Sequence, residues 1–267
     1  MGVTLDLRII DHERIVLSGL PVVNDAIRNN DPEILRDYLR TLPIDVDPSV
    51  VEYHQARLAR LREVKAPEPI IQNDERFLRM ATGEPYRPEA FQNSTLDELR
   101  HLLGTWCWLT HSYSLDKAWE ELRWFLQPRT GPADRPLHPQ PPPVGDSHQS
   151  TFDKALDGSV AYPTDALGQP VIRTCGSVES GCSGYNPPEI CKVIAARVEE
   201  VDQQSWKEHI PFRTQLYRQA IPGLTNDDIA DFVADELAIA TDTFPVLLAA
   251  YAKAAEKGFG VSCEYSL

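Results

Sequence analysis

The chain has 267 residues, with 26 Lys and Arg against 40 Asp and Glu, for a formal net charge of −14. That length suffices for one large or two small cored domains, and a hydrophobic share of 42% with 25% charged residues argues against wholesale disorder. No apolar run approaches the roughly 20 residues of a membrane span, no basic-then-apolar leader opens the chain, and the acid surplus opposes a phosphate-tracking surface. The expectation is a cytoplasmic protein that binds neither membrane nor nucleic acid, and whose acidity suits a protein partner with a basic surface.

Residues 3–10 alternate apolar and polar, which predicts a strand with Val3, Leu5, Leu7 and Ile9 inward. Asp31-Pro32 signals a capped helix start, followed by Leu35, Tyr38, Leu39 and Leu42 on one face. Asp47-Pro48 repeats the device before a longer helix, where His54 lies in the apolar stripe as a hydrogen-bonded core histidine and Arg57, Arg60 and Arg62 form a solvated face. Prolines break residues 65–90 around a short helix near 75–81. Ser94 with Asp97 predicts a capped helix carrying Leu96, Leu99, Leu102 and Leu103, and Ser114 caps another over 115–126. Residues 128–150 lose all periodicity in a proline-rich, extended connector.

Asn186-Pro187-Pro188 starts a helix bearing Ile190, Val193, Ile194, Val198 and Val201. Thr225 with Asp228 opens a second, with Ile229, Phe232, Val233 and Leu237 inward. Thr243-Phe244-Pro245 breaks or restarts that pattern before Leu247, Leu248 and Tyr251 continue it to Gly258. The terminal alternation of Phe259, Val261, Cys263 and Tyr265 predicts a last strand. Strands at both ends with helices between them predict an α+β fold: a small mixed sheet holding the N- and C-terminal strands, surrounded by many helices. The expected organisation is one domain over residues 1–267, with extra helical material over about 31–93 and the proline-rich insertion over about 128–150.

Gly-rich phosphate loops, a Gly-x-Ser-x-Gly elbow and His-Glu-x-x-His are all missing, so no cofactor is expected. Two constellations carry chemistry. The first, Trp106-Cys107-Trp108 to Trp119, offers aromatic walls from Trp106, Trp108 and Trp119, with His111 as acid or base and Asp116 or Lys117 to fix a substrate. The same residues also serve as core packing and helix-end electrostatics. The second spans Cys175 to Tyr185 with Cys191, where a thiol next to His111, His148 or His209 is a candidate nucleophile. Cys175, Cys182 and Cys191 fit the paired spacing of zinc ligands poorly, and thiols, a disulfide or metal ligands stay open. Tyr185 is a further candidate for ligand contact. Adjacent acids such as Glu120-Glu121 point about 100° apart on a helix and make poor catalytic dyads.

The opening strand, Leu115-Asp116-Lys117-Ala118-Trp119, the Tyr185-x-Pro187-x-Glu189-Ile190 helix entry, and Tyr251-x-Lys253-Ala254-Ala255-Glu256-Lys257-Gly258 before the last strand resemble the bacterial YfbM-like family, domain-of-unknown-function family 1877. The resemblance implies a compact α+β fold with the terminal strands in one sheet. It transfers no catalytic residue, because the family has no established reaction. The functional expectation is a non-catalytic accessory protein that binds a partner or a ligand, with immunity or stress roles in view. The alternative is a small-molecule enzyme with a pocket near Trp106–Trp119, using His111 or a cysteine of the 175–191 region.

Overall fold

The computed structural model describes residues 4–42, 48–81, 94–100, 103, 111–127, 131–140, 142–169 and 181–266. The chain begins with β1 (Thr4–Ile10), a wide π-type turn (Glu13–Gly19) and four helices, α1 (Leu20–Asn29), α2 (Pro32–Thr41), α3 (Pro48–Glu63) and α4 (Glu68–Ala81). It continues with β2 (His111–Asp116), α5 (Trp119–Leu126), α6 (Thr151–Asp157), β3 (Gly181–Asn186) and α7 (Pro188–Glu199). A 3-10 segment (Gln203–His209) leads into α8 (Ile210–Ala220), and α9 (Asn226–Lys257) and β4 (Gly260–Ser266) close the chain. Two compact units result: a sheet unit of Met1–Ile10, Ser112–Tyr162 and Val178–Leu267, and a helical unit of Asp11–His111 and Pro163–Ser177.

The sheet has the order β2-β1-β4-β3, so the first and last strands of the chain are its two central ones. β1 and β4 run antiparallel, Leu5 opposite Tyr265 and Leu7 opposite Cys263. The predicted α+β class is therefore the observed one. Alternation in β1 buries Leu5, Leu7 and Ile9 fully, and they pack with Leu122 and Phe125 of α5, Ile194 and Val198 of α7, and Leu247 and Tyr251 of α9. Each such side chain contributes about 1.5–3 kcal/mol by leaving water. On β4 both faces are covered: Ser262 and Glu264 are buried as well as Val261 and Cys263, with Glu264 Oε2 2.9 Å from Arg8 Nε across the strand pair.

Several local expectations need correction, among them the short helix expected near 75–81, which instead starts at Glu68. Leu115 does not open a helix; it lies in β2, and Asp116 turns the chain with φ 47° before α5 starts at Trp119. Asp tolerates that left-handed conformation, and its N–H is taken by Ser114 Oγ at 3.3 Å. Pro245 does not break α9, which is continuous from Asn226 to Lys257. A proline at 245 deprives the Thr241 carbonyl of its helical donor, and Gln203 Nε2 reaches that oxygen at 3.5 Å. Val193 and Phe232 face outward, 56% and 46% exposed, because the buried stripes of α7 and α9 are narrower than the apolar ones. Residues 181–186, where no alternation predicts a strand, form the edge strand β3, paired with β4 through a register shift between Cys182 and Gly184.

β3 sits where two glycines meet. A Cβ on Gly184 would strike the Asp157 carbonyl, and one on Gly158 (φ 86°) would strike the backbone of Gly184 and Tyr185. That close approach is held by Val160 and Tyr185, which exchange N–H to carbonyl bonds of 3.1 and 2.9 Å. α6 begins with a complete capping box between Ser150 and Asp153, so that Asp157 ends up beside the sheet at a fixed distance from its start.

In the helical unit, α1 packs on α2 and α3 on α4. Asp31 caps α2 as predicted, accepting from the Glu33 N–H at 2.9 Å. His54 meets Asp74 (Nδ1 to Oδ1 2.7 Å), and Arg57 reaches the other oxygen of the same carboxylate at 3.3 Å. The next helical turn is capped one residue later than predicted, by a reciprocal pair of Thr95 and Glu98. Buried Arg100 pairs with Asp165, whose Oδ1 also accepts from the N–H groups of Leu167 and Gln169.

Candidate functional site

The proline-rich segment belongs to the sheet unit and borders a cavity of about 800 Å³. Its opposite side is built from α5, the end of α6, α8, α9 and β4. The start of α5 places Trp119 and Glu120 on the lining with Arg123, one turn further along the same face, and Glu121 borders the cavity beside them.

One side of the lining is a closed ion-pair cluster. Arg123 donates from Nη1 and Nη2 to the two oxygens of Asp157, at 2.8 and 2.7 Å. The Tyr265 hydroxyl donates to Asp157 Oδ1 at 2.9 Å, and Arg123 Nη2 also reaches Tyr265 Oη at 3.1 Å. Both charged residues are almost fully enclosed, which makes a bidentate pair the stable arrangement. Burial, then the Asp157 charge, raises the Tyr265 phenol well above its ordinary range, so it stays a donor. Trp119 stacks edge-on against Tyr265 at 4.9 Å and lies under the Arg123 guanidinium at 5.5 Å.

A second cluster stands across the cavity. Arg213 grips Glu236 through Nε and Nη2, both at 2.7 Å, and its Nη1 donates to the Leu137 carbonyl at 2.6 Å. One guanidinium thus ties α8 to α9 and to the proline-rich segment. It also lies 4.9 Å from the Trp124 ring and 5.3 Å from Tyr217. Tyr217 donates to Glu236 Oε1, and burial together with that carboxylate pushes its hydroxyl up to about 12.

Glu121 is different. Its Oε2 is buried without a hydrogen-bond partner, and its carboxyl is raised above the ordinary 4.5 chiefly by burial. Its own backbone N–H opposes that shift, Glu236 and Glu120 add to it, and Arg213 opposes it. Leu137, Pro139, Pro142, Pro143 and Val144 supply the apolar border, and His138 stands 3.7 Å from Glu120. Prolines fix φ and so keep this border in shape without secondary structure.

Of the residues singled out from sequence, Trp119 lines this cavity. Asp116 and Lys117 are exposed at the turn before it. Tyr185 is buried against Tyr162, with ring centres 6.3 Å apart. Cys191 is fully enclosed, hydrogen-bonded to the Asn186 carbonyl at 3.3 Å, and burial pushes its thiol up to about 12, which makes it an inert packing residue. His148 is exposed, while His209 packs edge-on to Trp124. Trp106, Trp108 and Cys175 lie outside the described residues, as do the side chains of His111 and Cys182. Arg123, Asp157, Arg213 and Glu236 escaped sequence reading because nothing local joins them; the one available hint was an Arg on the apolar stripe of 115–126.

Among the described residues, no group of three or more His, Cys, Asp or Glu is arranged to hold a metal ion, and no helix is long and apolar enough to cross a membrane. Comparison with protein-family models, with curated proteins and with solved structures returns no match.

Proposed function

We propose that this is an accessory protein that binds a small molecule in the cavity of its sheet unit, without transforming it. The observation that carries the reading is the cavity's construction. Its four strongest polar partners, Arg123 with Asp157 and Arg213 with Glu236, are locked together in bidentate pairs. Groups held this way shape a site, and their charges are already committed to one another. Aromatic and proline side chains surround them, the usual composition of a preformed ligand site of this size.

Thermal melting against a library of small metabolites tests the proposal. At a hundredfold excess over Kd a ligand stabilises by about 2.7 kcal/mol, which moves the midpoint by roughly 5–10 °C. At least one compound should do so in the wild type and shift the midpoint far less in Val144→Trp, whose indole intrudes on the cavity. A blank library, or gains of equal size in the two proteins, overturns the reading. A stoichiometric protein partner retained by both proteins alike would favour partner docking instead.

A further inference from the structure

We infer that the cavity takes an organic cation, a primary or secondary ammonium or a guanidinium on an apolar body, with Glu121 as its counter-ion. This deepens the binding proposal above and rests on it. Four carboxylates line the cavity (Glu120, Glu121, Asp157 and Glu236) against two guanidiniums (Arg123 and Arg213). Asp157 and Glu236 consume both guanidiniums in bidentate pairs. His138 stands beside Glu120 at 3.7 Å, which leaves Glu121 as the lining carboxylate with no cationic neighbour bonded to it among the described residues, so an anionic ligand would meet repulsion there.

The position of that surplus is marked by an unmet acceptor. Among the described residues, Glu121 lines the cavity without an ion-pair partner, and its enclosed Oε2 accepts no hydrogen bond from another protein group, so its charge is the one left unmet. An N–H cation supplies both the donor and the charge. A quaternary ammonium supplies the charge alone and leaves the oxygen unbonded, so it fits less well. The rings of Trp119, Tyr217 and Tyr265 and the prolines at 139, 142 and 143 offer an apolar and π-rich surface for the rest of the molecule. The raised carboxyl of Glu121 agrees with this geometry: burial and the neighbouring Glu236 and Glu120 disfavour its charge in the empty cavity, and a bound cation would restore it.

Calorimetric titration with four compounds sharing one body tests the class: 4-phenylbutylamine, its N,N,N-trimethyl derivative, 4-phenylbutanol and 4-phenylbutyrate. A hydrogen bond to a charged group predicts about ten- to a hundredfold tighter binding of the amine than of the alcohol. The trimethyl derivative should fall between them, with the carboxylate weakest. In Glu121→Gln the amine should lose at least tenfold while the alcohol stays within twofold. Circular dichroism and an unreduced melting point show that this variant is folded. If the alcohol or carboxylate matches the amine, or Glu121→Gln keeps the amine's affinity, the cation inference fails while binding in the cavity stands. If none of the four binds, the inference fails, and the library screen alone decides the broader reading.

Discussion

Arg123 and Asp157, 34 residues apart, close two hydrogen bonds of 2.8 and 2.7 Å inside the protein, and so pin the middle of α5 to the C-terminal end of α6. The link is buried, and removing one partner strands the other charge. Arg123→Met should therefore lower stability by about 3–5 kcal/mol in urea denaturation. Arg123→Met combined with Asp157→Leu should cost clearly less than the sum of the two single changes. Additive single effects would mean that the two side chains do not meet.

The glycines at 158 and 184 make a second, independent claim on the same corner. Either one mutated to Ala brings a methyl group against backbone that cannot move aside cheaply, and at Gly158 the positive φ adds strain. Each substitution should cost about 3 kcal/mol or more, enough to lower the melting midpoint by roughly 6–12 °C. Gly168→Ala is the control. Its φ is also positive but no neighbour lies within reach of a Cβ, so it should show only the strain of the conformation, about 1 kcal/mol.

The strands β1 and β4 were legible because alternation over seven residues has few other physical meanings. β3 was not. Gly181-Cys182-Ser183-Gly184 carries no apolar alternation, and the strand exists because Gly184 lets the chain pass against Asp157 and Gly158. Pro245 gave a misleading signal because the Thr241 carbonyl it leaves without a helical donor is met by Gln203, 38 positions before Thr241. The cavity was legible only at Trp119. Its other chemistry comes from Arg213, Glu236, Asp157 and Tyr265, each unremarkable within its own window, and only the tertiary fold brings them together. The proline-rich segment reads correctly as lacking long helices and strands, but it is not the extended, solvated connector expected: a 3-10 turn over Pro132–Asp134 and turns closed by Asp146 and Gln149 fold it back, with Arg135 and Gln149 buried.

Arg213 holds that segment by its Leu137 carbonyl. Arg213→Met should remove the tie and speed amide exchange in a 131–150 peptide at least tenfold, with the sheet strands unchanged. Arg213→Lys keeps the charge but loses the fork that bonds Glu236 and Leu137 at once, so its exchange should resemble Arg213→Met and not the wild type. Unchanged exchange in both variants would show that the prolines hold the border unaided.

Glu121 provides the sharpest pH prediction, because a ligand site built around an unmet carboxylate should cost the empty protein stability. Its pKa in the folded state lies above the ordinary 4.5, so between those two values the folded chain binds more protons than the unfolded one. Stability contributed by this residue therefore falls as pH rises from about 4.5 through the folded value, and the full penalty applies above it. Glu121→Gln removes the ionisable group. It should be more stable than the wild type at pH 7, by a margin that solvent screening keeps small because the side chain is only partly enclosed. The gap should close by about pH 4, where both side chains are neutral. Adding 4-phenylbutylamine at pH 7 should reverse the order, because only the wild type gains a counter-ion for its carboxylate. A variant that is less stable than the wild type at pH 7 without ligand would place Glu121 among the structural acids and remove the reason for a cation in this cavity.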